Sequence, residues 1–519
     1  MLTEVYIGGN LIDIDQSEIV AGSYGNVNFG TLGKRTGAKT NTWKAPFSTR
    51  NKQVFEGSEL VSSWSDMPYK RSTIRVDIDG VSVFEGWCIL DQSSDSYEII
   101  SFAGASDFYS VVSNSRLRDI DLSQYDHVWN ETVVKNSFTR TSGFVYAFVE
   151  YGKEWPFSTI PVDYLKPQIF FKDVIQAIVE FAGYTLSGKV LTELRYQKHV
   201  IIPSNVPYIY ALGDTISLSA ILPDLTQSKV WLDFANIYGL QFNVNDQTKE
   251  IVASYIDDLL FNDPEDWTSK VDRTEDFNVD YRFDSFGKKS YLRYKSFDAA
   301  GATFVGNPKE IPIDDGYLKE AADVYQSEFS LIQNVTTPTV WNTYSFVLKN
   351  GYGFAGIWRS VTTYVFGGGN TAVWYNGTYY KPLQDSTNKI PPAEPTYWQV
   401  VAEKDIWDFN TRPMYGYLVQ DPSFYINVDY STGPEIITRK ITNQSLTWPE
   451  IYPEHYRVFS RIIEKTKIVD ALIKLNYADV NQIDFTRLKI VDGEMYMAQE
   501  IKQFKMNAPD STIVTLVRV

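Results

Sequence analysis

Residues 73–84 read TIRVDIDGVSVF, with alternating apolar and polar residues on both sides of an Asp-Gly pair. A period of two places the apolar side chains on one face of a β-strand. Asp-Gly supplies the positive φ angles that a two-residue type I′ turn needs. The stretch therefore predicts a β-hairpin with one buried face. Similar Asp-Gly or Asn-Gly pairs occur at 315–316, 376–377 and 492–493, and the last pair joins two more strand-like runs.

Helical periodicity is scarce in the rest of the chain. Apolar residues at i, i+3, i+4 and i+7 predict a helix over 171–182, stopped by Gly183. A second short helix is predicted over 228–238, with Gly239 as its stop. Each glycine is followed by an alternating strand, which is a weak internal repeat. The expected fold class is mainly β with a few short helices.

Length and composition indicate a large multi-domain protein. The chain has 519 residues, too many for a single core, and 44% of them are hydrophobic, which excludes a largely disordered chain. The chain contains 64 Asp and Glu residues and 48 Lys and Arg residues, which gives a net charge of −16. Phosphate binding needs a concentrated positive face, so we expect no tight nucleic-acid binding. The single cysteine, Cys88, excludes an intrachain disulfide framework.

The sequence also predicts where the chain is made. Residues 1–4 show no basic segment followed by an apolar one, so no export signal is expected. No apolar run approaches the roughly 18 residues that a membrane span requires. We therefore expect a soluble chain without a membrane span, made in a cytoplasm.

No motif predicts catalysis, a cofactor or a metal. His127, His199 and His455 are far apart in sequence and form no metal-binding spacing, so structural roles are expected for all three. The carboxylate clusters lie in turn-like contexts, where solvated side chains are the default. We predict no catalytic, cofactor-binding or metal-binding residues.

Composition changes between about Asn334 and Ala402, where glycine, proline and tryptophan are frequent and charges are few. The stretch predicts a small β module inserted into a larger domain. Its aromatic rings have two interpretations: they stack on a ligand such as a sugar, or they form the core of a small domain.

Six segments carry a family resemblance through their order along the chain. They are residues 34–55, the hairpin at 76–86, the helix ending at 175–185, the unit 233–258, the step 266–272, and the C-terminal hairpin with its closing strand at 484–519. Together these segments resemble the tail-hub (baseplate hub) proteins of tailed bacteriophages.

The resemblance implies two tube-like β-barrel domains in a ring at the end of the tail tube, in the virion tail. It implies a structural role between tube and fibre or spike proteins, around the DNA exit channel. From this resemblance we predict four parts of the chain. They are a first barrel domain (1–115), a connecting α/β region with two short helices (116–260), a split second tube-like domain (261–333 and 404–519) and the inserted module (334–403). A homotrimer with pseudo-sixfold symmetry is expected, with a hexamer as the alternative.

The inserted module resembles a different family, the small chitin- or cellulose-binding-type carbohydrate-binding modules. The similarity lies in residues 358–364, 373–381 and 391–401, whereas 382–385 lacks the exposed aromatics of sugar-binding members. The candidate contact rings are Trp374, Tyr380 and Tyr397. Host surface glycan and a neighbouring tail protein are both open as partners.

A second class of function competes with the hub. An extracellular glycan-binding or glycan-cleaving β-rich protein would also be rich in aromatic residues. Such a protein is expected to have an export signal and a catalytic cleft, and the sequence indicates neither. Rings with a central hole would favour the hub, and compact monomers the hydrolase.

Overall fold

The structure is a computed structural model of the 519-residue chain. It describes all residues except 1, 16–20, 26–31, 33–37, 41, 94, 104, 150–158, 161, 163–164, 204–212, 246–247, 300–301, 305–306, 334–345, 349–351, 358–361, 365–369, 376–377, 403–406, 410–412, 427–434, 477–478, 481–482 and 506–510.

The first quarter of the chain is mostly β-strand. Its strands are β1 (Thr3–Ile7), β2 (Asn10–Ile12), β3 (Ala21–Gly25), β4 (Ala38–Thr40), β5 (Trp43–Pro46), β6 (Ser72–Ile78), β7 (Val81–Ser93) and β8 (Ser96–Ala103). Helix α1 (Thr49–Val54) lies between β5 and β6, and α2 (Ala105–Asn114) follows β8.

The next region holds most of the helices. They are α3 (Glu131–Ser137), α4 (Phe171–Phe181), α5 (Leu194–Lys198), α6 (Leu218–Ile221) and α7 (Gln227–Ile237). The strands between and after them are β9 (His127–Val128), β10 (Phe144–Val145), β11 (Thr159–Ile160), β12 (Gln168–Phe170), β13 (Thr185–Gly188), β14 (His199–Ile202), β15 (Thr215–Ile216), β16 (Leu240–Asn245) and β17 (Glu250–Tyr255).

Short strands follow up to residue 409. They are β18 (Glu265–Asp266), β19 (Asn278–Asp280), β20 (Gly287–Arg293), β21 (Phe297–Ala299), β22 (Ala302–Phe304), β23 (Lys309–Pro312), β24 (Lys319–Gln326), β25 (Ser330–Leu331), β26 (Phe346–Leu348), β27 (Tyr352–Ile357), β28 (Thr363–Tyr364), β29 (Asn370–Tyr375), β30 (Thr378–Pro382), β31 (Ser386–Thr387), β32 (Trp398–Val401) and β33 (Trp407–Phe409).

The last part contains long strands and two helices. They are β34 (Met414–Ile426), β35 (Glu435–Thr442), α8 (Trp448–His455), α9 (Arg457–Glu464), β36 (Ile468–Lys474), β37 (Lys489–Val491), β38 (Glu494–Lys505) and β39 (Ser511–Arg518).

Two large sheets organise these elements. A 14-stranded sheet has the order β19-β36-β39-β38-β3-β4-β8-β7-β6-β1-β2, with β5, β18 and β37 pairing beside this path. A 7-stranded sheet has the order β10-β12-β14-β34-β11, with β25 and β35 on β34. The predicted mainly β, multi-domain fold is confirmed. The predicted domain boundaries stay a prediction.

Two hydrophobic cores lie beneath these sheets. The larger one packs α4, α7, α8 and α9, and buries residues such as Ile178, Trp231 and Trp448. The second lies under the 14-stranded sheet and includes Trp43, Val76 and Leu516. In β6 the buried side chains are Ile74, Val76 and Ile78, so the alternation predicted from the sequence fixes the inward face.

The two predicted helices are present with the glycine stops that the sequence indicates. Helix α4 precedes Gly183 (φ +80°), and α7 precedes Gly239 (φ +58°). Each glycine leads to a strand of one three-stranded sheet, in which β17 pairs with β13 in parallel and with β16 antiparallel. The positive φ angles explain why glycine ends both helices.

Residues 346–409 form a locally closed set of strands. Sheet β27-β29-β30-β32 and the pair β28-β31 use only strands of this stretch, and β26 pairs with β33 at its two ends. The stretch lies between Leu331 and Met414, where β25 pairs with β34 in the register Ser330 to Met414. The chain thus leaves the 7-stranded sheet and returns to it at adjacent positions.

Candidate assembly surface

The hairpin predicted from residues 73–84 is part of a four-stranded unit. Strand β6 pairs with β7 across the Asp79-Gly80 turn, β7 pairs with β8, and β8 pairs with β5. All three pairings are antiparallel, and helix α1 connects β5 to β6. We call these four strands the N-terminal unit.

A second unit repeats this plan at the other end of the sequence. Strand β37 pairs with β38 across Asp492-Gly493, β38 pairs with β39, and β39 pairs with β36. These pairings are also antiparallel, and a short helical stretch at 479–480 lies between β36 and β37. The C-terminal unit, β36 to β39, therefore has the strand order of the N-terminal unit.

The turns of the two hairpins have nearly the same backbone angles. Asp79 and Gly80 have φ of +48° and +81°, and Asp492 and Gly493 have +52° and +83°. These are the left-handed angles of a type I′ turn. The matching angles strengthen the equivalence of the units, because the turn sets the register of the strands on both sides.

The two units join head to tail. Strand β38, third in the C-terminal unit, pairs with β3; β3 pairs with β4; and β4 pairs with β8, the fourth strand of the N-terminal unit. The C-terminal unit is therefore joined through β38 and the N-terminal unit through β8, which are not equivalent strands. A twofold axis would bring equivalent strands together, whereas a repeated rotation brings different ones together.

A shared core holds the units together. The hydrophobic cluster under the 14-stranded sheet contains Val76 and Ile99 of the N-terminal unit together with Val514 and Leu516 of the C-terminal unit. The Lys489 side chain is fully buried, and its Nζ lies 2.8 Å from Glu265 Oε2. Burial lowers the pKa of Lys489, and the Glu265 carboxylate opposes that shift.

The main path of the sheet ends in β2 and β19, each with a single partner among the described strands; β5 and β18, beside this path, also pair with one strand each. Strand β2 pairs with β1, and β19 pairs with β36. Strands with a free edge offer backbone N–H and C=O groups to another chain. The two ends belong to opposite halves of the sheet, β2 beside the N-terminal unit and β19 beside the C-terminal unit.

The three predicted contact rings have different environments. Tyr380 is 8% exposed and packs with Tyr364, Val373 and Trp398 in the core of the module. Tyr397 is half-buried at the edge of that core, with Lys389 Nζ 5.0 Å from its ring centre. The Trp374 backbone lies in β29, opposite Tyr379, and its side chain lies outside the described residues.

The histidines have separate partners. His127 Nε2 lies 2.7 Å from Tyr146 Oη, and His199 Nδ1 lies 3.0 Å from Tyr238 Oη. Arg195 donates to His455 Nε2 at 2.7 Å. Burial lowers the pKa of His127, and that of His199 well below its usual range. Within the described part of the chain, no group of three or more His, Cys, Asp and Glu could hold a metal ion.

One buried carboxyl stands out in the larger core. Asp233 is fully buried and accepts hydrogen bonds from Tyr325 Oη at 2.6 Å and Tyr415 Oη at 2.8 Å. Burial raises the pKa of Asp233 to about 6, against these hydrogen bonds. The group therefore joins α7 to β24 and β34. Among the described helices, none is long and apolar enough to cross a membrane.

Comparisons with known proteins found similar solved structures, among them two prophage tail proteins. One is the 43 kDa tail protein of prophage MuSo2 from Shewanella oneidensis, with 9% identity, a TM-score of 0.38, and coverage of 99% of this chain and 98% of that chain. The other is prophage tail protein gp18 from Listeria monocytogenes EGD-e, with 9% identity, a TM-score of 0.35, and coverage of 99% and 94%. No family model and no curated protein matches the sequence.

Proposed function

We propose that the protein is a structural subunit of a bacteriophage tail, a hub that forms a ring at the end of the tail tube. The observation that carries the proposal is the head-to-tail joint between two β units of the same plan. The family resemblance of the sequence segments, which include both hairpins, supports it. The ring would link tube proteins to fibre or spike proteins and line the DNA exit channel.

The kind of joint supports a ring. A contact between different edges of like units can be repeated indefinitely, and it closes into a ring when the rotation per step divides a full turn. Among the described strands, β2 and β19 end the main path with one partner each, so a further copy can continue the arrangement. Three chains supply six units, which is the pseudo-sixfold homotrimer; a hexamer is the alternative.

Imaging and mass measurement test the proposal together. Negative-stain images of the purified full chain should show rings with a central hole, and native mass spectrometry should give the mass of a trimer or hexamer. Compact monomers throughout the high-micromolar range would contradict the ring.

The net charge of −16 supports a channel that lets DNA pass. A lumen with excess carboxylates repels phosphate and does not hold the genome back. The assembled ring should therefore show no binding to duplex DNA at physiological salt in a filter or anisotropy assay. Tight binding that weakens steeply with salt would contradict the channel.

We further propose that residues 334–403 form a peripheral recognition or docking module. Its locally paired strands and its own small core, with Tyr364 and Trp398, support independent folding. Of the three candidate contact rings, Trp374, Tyr380 and Tyr397, the half-buried Tyr397 has more accessible surface than Tyr380. Binding of the excised module to host polysaccharide, compared with binding to tail partners, separates the two kinds of ligand.

A further inference from the structure

The segment between α1 and β6 exposes large apolar side chains. Within residues 56–66, Trp64 is 98% exposed, Val61 is fully exposed and Leu60 is 58% exposed. Soluble proteins rarely expose neighbouring large apolar residues unless these form an interaction site. We call residues 56–66 the Trp64 segment.

The Trp64 segment is fixed to the sheet by contacts at its base. Phe55, directly before it, is buried and stacks on the Tyr97 ring at 4.2 Å between centres. Tyr97 Oη donates to the Glu59 carboxylate, and Ser65 Oγ donates to Glu56 at 2.9 Å. The apolar tip is therefore held away from the core by an ordered base.

A cavity lies at the other half of the sheet. It has a volume of about 520 Å³ and begins directly after the edge strand β19. Its apolar lining is provided by Tyr281, Phe283, Phe286, Ile313, Leu318 and Ile463. Tyr281 is 65% exposed, so its ring forms part of an aromatic rim. We call this the edge cavity.

The charges of the two features are complementary. The Trp64 segment contains Glu56, Glu59 and Asp66 and no basic residue. Lys52 lies 3.7 Å from Glu59 and Lys70 lies 2.6 Å from Asp66, so among the described residues Glu56 is the carboxylate of the segment without an ion pair. The cavity rim carries four basic side chains against three acidic ones, namely Arg282, Lys465, Lys467 and Arg518 against Asp314, Asp315 and Glu464. Among the described residues, no acidic group lies within 4.0 Å of Lys465 or Lys467, whereas Arg282 pairs with Asp315 and Arg518 with Glu494.

The two features lie on opposite halves of the sheet. Asn51 of α1 bonds to Asp13, just past β2, and to Pro46 of β5, and Tyr97 of β8 holds the segment itself, so the Trp64 segment belongs to the N-terminal half. The edge cavity adjoins β19 in the C-terminal half. A head-to-tail neighbour therefore presents its β19 end to the β2 end of the first copy.

We propose that the Trp64 segment of one copy inserts into the edge cavity of the next copy, with Trp64 beside Tyr281. The occupant is a second copy of this chain. The inference rests on the proposed ring and names the contact that closes it. The acidic base of the segment then faces Lys465 and Lys467 of the neighbour.

Site-directed cross-linking tests this contact directly. Full-length W64C protein is mixed with full-length Y281C protein and treated with a short bis-maleimide. Cys88 does not interfere, because it is buried and burial raises its thiol pKa to about 12. Covalent heterodimers are expected from the mixture, and from neither variant alone. The matched control replaces W64C by F261C, since Phe261 is 72% exposed outside both features.

Substitutions measure the strength of the contact. Trp64→Ala should weaken self-association at least about tenfold, because a buried tryptophan is a typical interface hot spot. Charge reversal of Lys465 and Lys467 to Glu should weaken it as well, whereas Phe261→Ala should not. Circular dichroism spectra and melting temperatures should be unchanged in these variants, since the side chains of Trp64, Phe261, Lys465 and Lys467 are exposed or at the cavity rim. A change in self-association then reports the contact and not a folding defect.

The outcomes separate this contact from the ring itself. Rings that persist in W64A, with no W64C–Y281C product, overturn the contact and leave the ring standing. Cross-linking equal to that of the F261C control also overturns it. Specific cross-linking into open chains supports the contact and contradicts the closed ring. A protein that stays monomeric and uncross-linked overturns both.

Discussion

Asp79 and Asp492 occupy equivalent positions in two hairpins, with φ of +48° and +52°, and each is followed by a glycine with positive φ. Each hairpin belongs to a four-stranded unit with the same order of pairing. The equivalence therefore extends from the turn to the whole unit, and it makes the effects of matched substitutions predictable.

The two turn glycines should be equally sensitive to substitution. Gly80→Ala and Gly493→Ala should each lower the free energy of unfolding by about 1–2 kcal/mol, because a left-handed backbone is unfavourable for alanine. The added methyl group would meet no atom within 4 Å at either position, so the backbone angle alone sets the loss. Urea denaturation measures both. Gly316→Ala is the control: this Asp-Gly glycine lacks a positive φ and has equal space, so its replacement should be nearly neutral. Unequal losses at 80 and 493 would contradict the equivalence.

The two helix-stop glycines should differ in sensitivity. Both have positive φ, but a Cβ on Gly239 would lie 2.7 Å from the carbonyl oxygen of His455, whereas Gly183 has free space. Gly183→Ala should lower the free energy of unfolding by about 1–2 kcal/mol. Gly239→Ala should lower it by about 1–3 kcal/mol more, because the added methyl group must displace the end of α8. Thermal and urea denaturation of the two variants give the difference; equal losses would exclude the close contact.

Asp233 should make stability fall as pH rises. Its folded-state pKa of about 6 lies above the ordinary value of 3.8, so the folded state favours the protonated form. The contribution of Asp233 to the free energy of unfolding is complete below pH 4. It is lost as pH rises through 6, and the total loss is about 3 kcal/mol. The difference in unfolding free energy between wild type and Asp233→Asn, measured by urea denaturation from pH 4 to 7, should shrink by that amount.

A carboxyl with the opposite shift provides the control for Asp233. The exposed Asp121 accepts a hydrogen bond from the Ser123 backbone at 2.9 Å, and its contacts to Ser123 lower its pKa. Asp121→Asn should change the pH dependence weakly and in the other direction, because this group stabilises the fold only when ionised. Parallel curves for wild type and Asp233→Asn would contradict the buried, protonated carboxyl.

The module should be removable without loss of the host fold. Replacement of residues 334–409, which are the module and its last strand β33, by a short Gly/Ser linker leaves β25 and β34 paired, because the register Ser330 to Met414 lies outside the cut. The shortened protein should keep its oligomeric mass and far-UV spectrum in light scattering and circular dichroism. Loss of the oligomer would place the module within the ring, and the peripheral role would be wrong.

Local features of the fold could be predicted from the sequence, because local residues determine them. The hairpin at 73–84 and the glycine stops at 183 and 239 follow from alternation and turn chemistry over a few residues. The Asp-Gly pair at 315–316 has the same composition but forms no hairpin: β24 pairs with β20 in parallel and not with β23. Its glycine lacks a positive φ, which the dipeptide alone cannot reveal.

The repeated unit could not be predicted, because its defining pairs join distant segments. The pairing of Trp43 with Ile99 and of Leu472 with Ile513 makes the two units alike, while the sequences around them share little beyond Asp-Gly. The burial of Tyr380 depends likewise on β30 lying between β29 and β32. Aromatic composition alone does not distinguish such a core ring from an exposed one.

The pairing of β3 with β38 also has a consequence during protein synthesis. Tyr24 lies opposite Ile501, so nearly the whole chain is translated between the two halves of this joint. Translation delivers the N-terminal segments first, and long-range strand pairing forms late in folding. A nascent chain therefore carries an incomplete joint until the ribosome has released β38.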